Sequence, residues 1–332
     1  MYDKRGNIMP KKIILDVDTG SDDAVAIILA ALHPEIDLAA VCTVKGNQPL
    51  YNTTENTKRV LDLIHADVPI YKGCHDALVR DVCPWRIKFE NRATAVDENG
   101  NEFFIHKALF DLPESDRKVE DMPAPVFYVD YLNHCEEPVT LVCVGPLTNL
   151  ATALSIDPGI TKNIEEIVVM GGADNEANAS SSAEFNFFFD PEAAQKVFQC
   201  GAKITCMPLD ATHKAMVTKD DVKRFEEIGT PAALFAAEMC KIRIEVHTQC
   251  QPLELPDACA LHDPLCIAYL IDPSVITDTK HYHVDIALDG LSDGATIVDH
   301  RYFQDNRNCY FCYNGDRHKF VDIMCDAFRL SR

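Results

Sequence analysis

The sequence predicts an α/β fold, a single domain whose mostly parallel central β-sheet is flanked by helices around a Rossmann-like core. Three observations carry this reading. Short, nearly all-apolar runs alternate with helical segments, as strands buried on both faces of a parallel sheet do. No Pro/Gly/Ser-rich linker divides the 332 residues, and α/β chains of this length often form one domain. Polar residues gather directly after the apolar runs, where open α/β sheets bind their ligands.

Lys12 to Asp18 reads as the first strand, a β-branched apolar run that ends in carboxylates. Asp22 to Leu32 reads as a helix, with acids in the first turn where the helix dipole favours them. A strand over Asp37 to Val44 and a helix from about Tyr51 to Ala66 follow. The alternation resumes with a strand at Pro138 to Val144, a helix at Leu147 to Ile156 and a strand at Ile164 to Met170. A helix at Pro191 to Cys200 and a strand at Lys203 to Pro208 continue it. Two stretches are less regular. Arg80 to Pro125 shows no sustained period, so a lid-like insertion is expected at about 80–125. Glu226 to Ala260 reads as helical, then irregular.

With 47% hydrophobic and 25% charged residues, the chain has ample apolar material for a large core. A net charge of −21 repels phosphate backbones and anionic membrane surfaces, so neither nucleic acid nor membrane is an expected partner. The 14 cysteines are scattered through apolar runs, as free thiols in a reducing compartment are, and not as a disulfide framework. Cys309 and Cys312 form a lone C-x-x-C without a second pair or a nearby histidine set. No window has the length of an apolar membrane span, and the N-terminus lacks the apolar core of a signal peptide; a cytoplasmic protein is expected.

The sharpest chemical signal is Asp16-Val-Asp18-Thr-Gly20-Ser-Asp22-Asp23 at a strand end and helix start. Four carboxylates this close repel one another in a partly buried site unless a cation offsets them. Hard oxygen donors at this density suit calcium or magnesium. Helix capping accounts for one or two of these acids, but not for four. An EF-hand is excluded, because counting from Asp16 places Gly20 at position 5, Ser21 at 6 and Ile27 at 12. Asp16-Val-Asp18-Thr19 also fits, loosely, the opening of haloacid-dehalogenase-like phosphohydrolases, with Asp16 as nucleophile. The strand ending at Met170, however, leads into Gly171-Gly172-Ala173-Asp174 and lacks the acidic pair that chemistry uses.

The motif D-x-D-T-G-x-D-D-A-x-A-I resembles the signature of the inosine–uridine-preferring nucleoside hydrolase family. Val44-Lys-Gly-Asn47, Val144-Gly-Pro-Leu-Thr-Asn149, Met170-Gly-Gly172, Asn178, Ala183-Glu184-Phe185-Asn186, Asp190-Pro-Glu192-Ala193 and His262-Asp263-Pro264 follow in family order. The resemblance runs from residue 13 to about 270. It implies the nucleoside hydrolase fold and hydrolysis of the N-glycosidic bond of ribonucleosides to ribose and free base. It also implies a calcium ion held by Asp18, Asp23, Asp263 and the backbone carbonyl of Val144. Asp18 is then the expected base toward water and His262 the expected acid toward the departing nucleobase, since histidine titrates near neutrality. Asn47 is expected to orient water and sugar. Asp22, Asn178, Glu184 and Asn186 are expected to bind ribose, with Met170 and Phe185 packed against it. The family habit implies a homodimer or homotetramer.

The resemblance thins in the insertion. His106-Lys-Ala-Leu-Phe110 lacks the glycines many relatives carry there, and Trp85, beside Arg86, is a candidate to stack on a purine. A purine-specific branch lacks a histidine before the late metal-binding aspartate. The presence of His262 therefore favours a broad or inosine–uridine-type preference, for purine and/or pyrimidine nucleosides. Two rivals remain at this point: the metal-dependent phosphohydrolase, and a calcium-dependent nucleoside- or sugar-binding protein without turnover.

Overall fold

A computed structural model describes residues 10–83, 86, 94–96, 99–301 and 305–332. The first half of the chain runs β1 (Lys11–Val17), α1 (Ser21–Leu32), β2 (Ile36–Thr43), α2 (Leu50–Leu63), β3 (Ile70–Lys72), β4 (Thr94–Val96), β5 (Glu102–Phe104), α3 (Ala124–His134), β6 (Val139–Cys143), α4 (Thr148–Ile156) and β7 (Ile164–Met170). Next come α5 (Phe185–Phe189), α6 (Pro191–Phe198), β8 (Ile204–Met207), α7 (Leu209–Thr212), β9 (Met216–Thr218), α8 (Lys219–Ile228) and α9 (Pro231–Cys250). The chain closes with β10 (Ala258–Ala260), α10 (Pro264–Ile271), β11 (Ile276–Ile286), β12 (Thr296–Asp299), β13 (Cys309–Gly315) and α11 (Arg317–Phe328).

Nine strands form the central sheet in the order β12-β11-β13-β8-β7-β6-β1-β2-β3. Pairing is parallel from β13 through to β3, and β11 adds an antiparallel edge. Chain order reverses between β1 and β6: β2 and β3 extend one way from that point, β7 and β8 the other. Such a reversal opens a crevice beyond the carboxyl ends of the two central strands. The first carboxylate motif follows β1, and Val144 follows β6.

Alternation along β1 sorts its side chains into two layers. Ile13, Leu15 and Val17 enter a core shared with α1 and α10, whereas Ile14 enters the opposite core with Phe127 and Tyr128 of α3 and Leu150 of α4. Helix α1 is buried along Ser21–Ala30 and so is apolar on nearly all sides, as a central helix must be. Its start is fixed by the Asp23 carboxylate, which accepts the Gly20 N–H at 2.9 Å. The elements expected between Lys12 and Pro208 occur with ends displaced by no more than a few residues. Within 226–260, Gly229 adopts a left-handed conformation (φ 72°) that ends α8, and Thr230 caps α9. In the expected insertion, the described part of 80–125 includes the β4–β5 hairpin, tied to α9 where Val96 N–H donates to Gln249 at 2.9 Å.

Candidate active site

A cavity of about 410 Å³ opens at the reversal point and is lined by Asp22, Asn47, Val144, Met170, Asn178, Glu184, Phe185, Asn186, His262 and Asp263. Ten of the residues expected from the sequence thus share one chamber, although they lie as far apart as residues 22 and 263. Asp18 and Asp23 are buried, and an Asp23 oxygen lies within 4.8 Å of those of the lining acids Asp22 and Asp263. Trp85 lies outside the described residues.

The carboxylates are packed against one another. Asp23 Oδ1 accepts the Asp18 N–H at 3.0 Å, and Asp23 Oδ2 accepts the Asn47 side-chain amide at 3.2 Å. Asp18 Oδ2 accepts the Asn47 backbone N–H at 2.6 Å, while Oδ1 is buried with no hydrogen-bond partner. Burial, and then the Asp23 charge, push the Asp18 carboxyl well above its ordinary range. Burial and Asp22 raise Asp23 to about 6, and Asp263 rises well above its usual value by burial and the charges of Asp22, Asp23 and Asp18. These are the marks of a group of anions short of positive charge. Asp22, Asp23 and Asp263 each bring one oxygen to within 4.8 Å of the others. An unpartnered buried carboxylate oxygen beside these acids fits a hard divalent cation. Glycines make the room: a Cβ on Gly46 would lie 2.1 Å from Asp18 Oδ2, and one on Gly145 2.8 Å from Oδ1.

The opposite wall is preorganised by α5. Glu184 caps that helix, accepting the Asn186 N–H at 2.9 Å and the Gly172 N–H at 2.9 Å, and burial raises its carboxyl to about 7. The Asn186 amide donates to the carbonyls of Val144 (2.8 Å) and Met170 (3.1 Å). Asn178 accepts the Phe185 N–H at 2.9 Å. These bonds hold each side chain in place before a ligand arrives, which lowers the ordering cost of binding.

His262 follows β10 and is buried; its Nδ1 lies 2.8 Å from the Thr212 hydroxyl. Burial, and then the Arg243 charge, hold its imidazole well below the ordinary range. Among the lining residues that were not expected are one arginine and two histidines. Arg243 of α9 pairs with Asp22 at 2.8 Å. His247, one turn on, directs Nδ1 at the Gln251 carbonyl at 3.2 Å. His106 accepts the Ser21 N–H at Nδ1 (3.1 Å), so its neutral ring carries the proton on Nε2. His106 was legible in the sequence only as part of an altered family segment, and nothing in the pattern around Arg243 or His247 marked either.

Asp16 behaves differently. Its side chain falls on the α3–α4 face of β1, where Asn149 donates to both oxygens (3.1 and 3.0 Å) and the Tyr128 hydroxyl to one at 2.9 Å. It does not line the cavity. A phosphohydrolase nucleophile must face its substrate, and Asp16 does not; the phosphohydrolase reading is corrected on this ground.

A model of the family described as inosine-uridine preferring nucleoside hydrolase matches residues 13–322. The chain is 40% identical over 324 residues to the inosine-uridine preferring nucleoside hydrolase of Leishmania major, covering 96% of this chain and 98% of that protein. It is 35% identical to the pyrimidine-specific ribonucleoside hydrolase RihA of Escherichia coli, with 97% and 99% covered. Among solved structures it resembles a purine-preferring ribonucleoside hydrolase from Gardnerella vaginalis, with a TM-score of 0.82, 30% identity and 96% and 99% of the two chains covered.

Proposed function

The chain belongs to the inosine-uridine preferring nucleoside hydrolase family and hydrolyses ribonucleosides to ribose and free base, and from that premise we propose that it works with calcium and an inosine–uridine-type preference. The observation that carries the calcium reading is the unpartnered, buried Oδ1 of Asp18, next to Asp23, which accepts the Asp18 N–H and clusters with Asp263; with the Val144 carbonyl these make four groups. Those four groups would hold the ion. When bound, it supplies Lewis acidity toward water and the sugar hydroxyls.

The protein's own residues divide the remaining work. Asp22, Asn178, Glu184 and Asn186 grip the ribose hydroxyls, and Met170 and Phe185 close over the ring. The attacking water gives a proton to the Asp18 carboxylate, and Asn47 fixes the line of attack from the side opposite the base. Charge then develops on the ribose, where the surrounding carboxylates stabilise it. His262 delivers a proton to the departing base from Nε2, acting as the imidazolium, whose Nδ1–H donates to the Thr212 hydroxyl.

The relatives' names span inosine–uridine, pyrimidine and purine preference, so the base preference rests on His262 preceding Asp263. The remaining proposals follow the family resemblance: a homodimer or homotetramer, a lid formed by about 80–125, and a cytoplasmic role in nucleoside salvage. Among the described residues, no helix is long and apolar enough to cross a membrane.

The deciding experiment is ribose release, by reducing-sugar assay, from inosine, guanosine, adenosine, uridine and cytidine, with calcium and after chelation. Calcium-restored release with inosine and uridine ahead supports both proposals. Release that persists undiminished after exhaustive chelation overturns the calcium reading.

A further inference from the structure

Proximity alone would make Asp22 a cation ligand, since its carboxylate shares the 4.8 Å cluster with Asp23 and Asp263. Its hydrogen bonds point another way. Oδ1 accepts from Nη1 of Arg243 at 2.8 Å, and Oδ2 accepts the His262 backbone N–H at 3.3 Å. Arg243 is 1% exposed and is anchored at two further points: Nε donates to the Ala260 carbonyl at 2.7 Å and Nη1 to the Ser21 hydroxyl at 2.9 Å. A guanidinium fixed in three directions by α9, α1 and β10 cannot follow Asp22 if that side chain turns. A cation bonded to the same Oδ1 would also sit beside the guanidinium, and like charges repel strongly at that range in a buried site.

We propose that Arg243 is a positioning residue that divides the acidic cluster, committing Asp22 to the sugar and leaving Asp18, Asp23 and Asp263 to the cation. This rests on the reading of the cavity as a calcium-dependent nucleoside site. The division explains why a cluster of four buried acids yields two kinds of ligand. It also explains the burial of an arginine, a residue almost never fully buried unless paired.

Europium(III), a hard cation of calcium's size, tests it, because luminescence lifetimes in H2O and D2O count the waters bound to the ion. In Arg243→Met, Asp22 is freed to enter the coordination sphere, so the europium should lose about one water relative to wild type. Arg243→Met/Asp22→Asn should return to the wild-type count, and Arg243→Lys should keep it. The Michaelis constant for the preferred nucleoside should rise about tenfold or more in Arg243→Met, as expected for a lost charge-assisted hydrogen bond. An unchanged water count in folded Arg243→Met overturns the proposal. If that variant does not fold, Asp22→Asn decides: the proposal requires the wild-type water count with weakened ribose binding, and one additional water would mean that Asp22 was already a metal ligand. Water counts that move as expected in a protein releasing no ribose would leave the division standing and sink the nucleoside reading. Unmoved counts in an active hydrolase would do the reverse.

Discussion

The Thr212 hydroxyl lies 2.8 Å from Nδ1 of His262, at the end of a four-residue helix that follows β8. The hydroxyl can thereby accept the Nδ1–H of a protonated His262 and so control how readily the ring holds the proton it gives up. Thr212→Val keeps the shape and removes that control. Turnover of inosine should fall about tenfold to a hundredfold, a part of what a general acid contributes. Hydrolysis of p-nitrophenyl riboside, whose leaving group needs no proton, should change much less. Equal losses on both substrates would mean that Thr212 acts on something other than the acid.

Asp18→Asn separates stability from function. Asp18 is buried beside Asp23, whose charge helps push the Asp18 carboxyl up, so the amide removes a like-charge repulsion. The calcium-free variant should melt above calcium-free wild type. Its turnover should fall about a hundredfold to ten-thousandfold if Asp18 is the base. The stabilisation that wild type gains from calcium, about 2.7 kcal/mol at a hundredfold excess over Kd, should also disappear. Calorimetry with and without calcium reads both effects, and a variant with normal rates would remove Asp18 from the proposed mechanism.

The sheet and the acidic floor of the cavity were legible because their signals are local. β1 and α1 announce themselves in one apolar run and one acidic turn, and the chain reversal places Val144 beside them. Arg243 and His247 were not legible. α9 carries Lys241, Arg243, Glu245 and His247 in close succession, a pattern that reads as a solvated face; only the packing of α1 and β10 shows that Arg243 and His247 are buried. The antiparallel edge was missed for a related reason: β11 is exposed at Thr277 and at Thr279 to His281 and is rich in polar residues, so it lacks the continuous apolar run of the inner strands.

His247 makes the acid side of the stability profile testable. Burial first, and then Arg243, lower its imidazole to about 3 from an ordinary value of 6.5. The folded state therefore stays neutral where the unfolded chain takes up a proton. Stability is full above 6.5, declines as pH falls below it, and levels off near 3. At about 1.4 kcal/mol per pH unit, wild type at about pH 5 should have lost about 2 kcal/mol through this one ring. His247→Phe should be spared that loss, and slightly more, because His247 also helps to hold the neighbouring His262 imidazole low. Urea midpoints at about pH 7.5 and pH 5 give the comparison; identical declines in the two proteins would refute the assignment.

Gly46→Ala tests the cation site without altering any charge. A Cβ at Gly46 would lie 2.1 Å from Asp18 Oδ2 and 2.8 Å from Pro146 Cδ, so the added methyl must displace the Asp18 carboxylate. Asp18 is also held by the Asn47 N–H, the residue next in sequence, so the displacement strains the bond that aims it. If the Asp18 carboxylate is a calcium ligand, calcium affinity measured by titration calorimetry should fall about tenfold or more, the scale of one charged interaction lost. Turnover at saturating calcium should remain low, because the base is misplaced even when the ion is present. A variant that binds calcium as tightly as wild type but hydrolyses nucleosides slowly would show that Asp18 serves the water and not the metal. A variant normal in both would show that the loop carrying Gly46 yields, and that Asp18 is held in place by the acidic cluster itself.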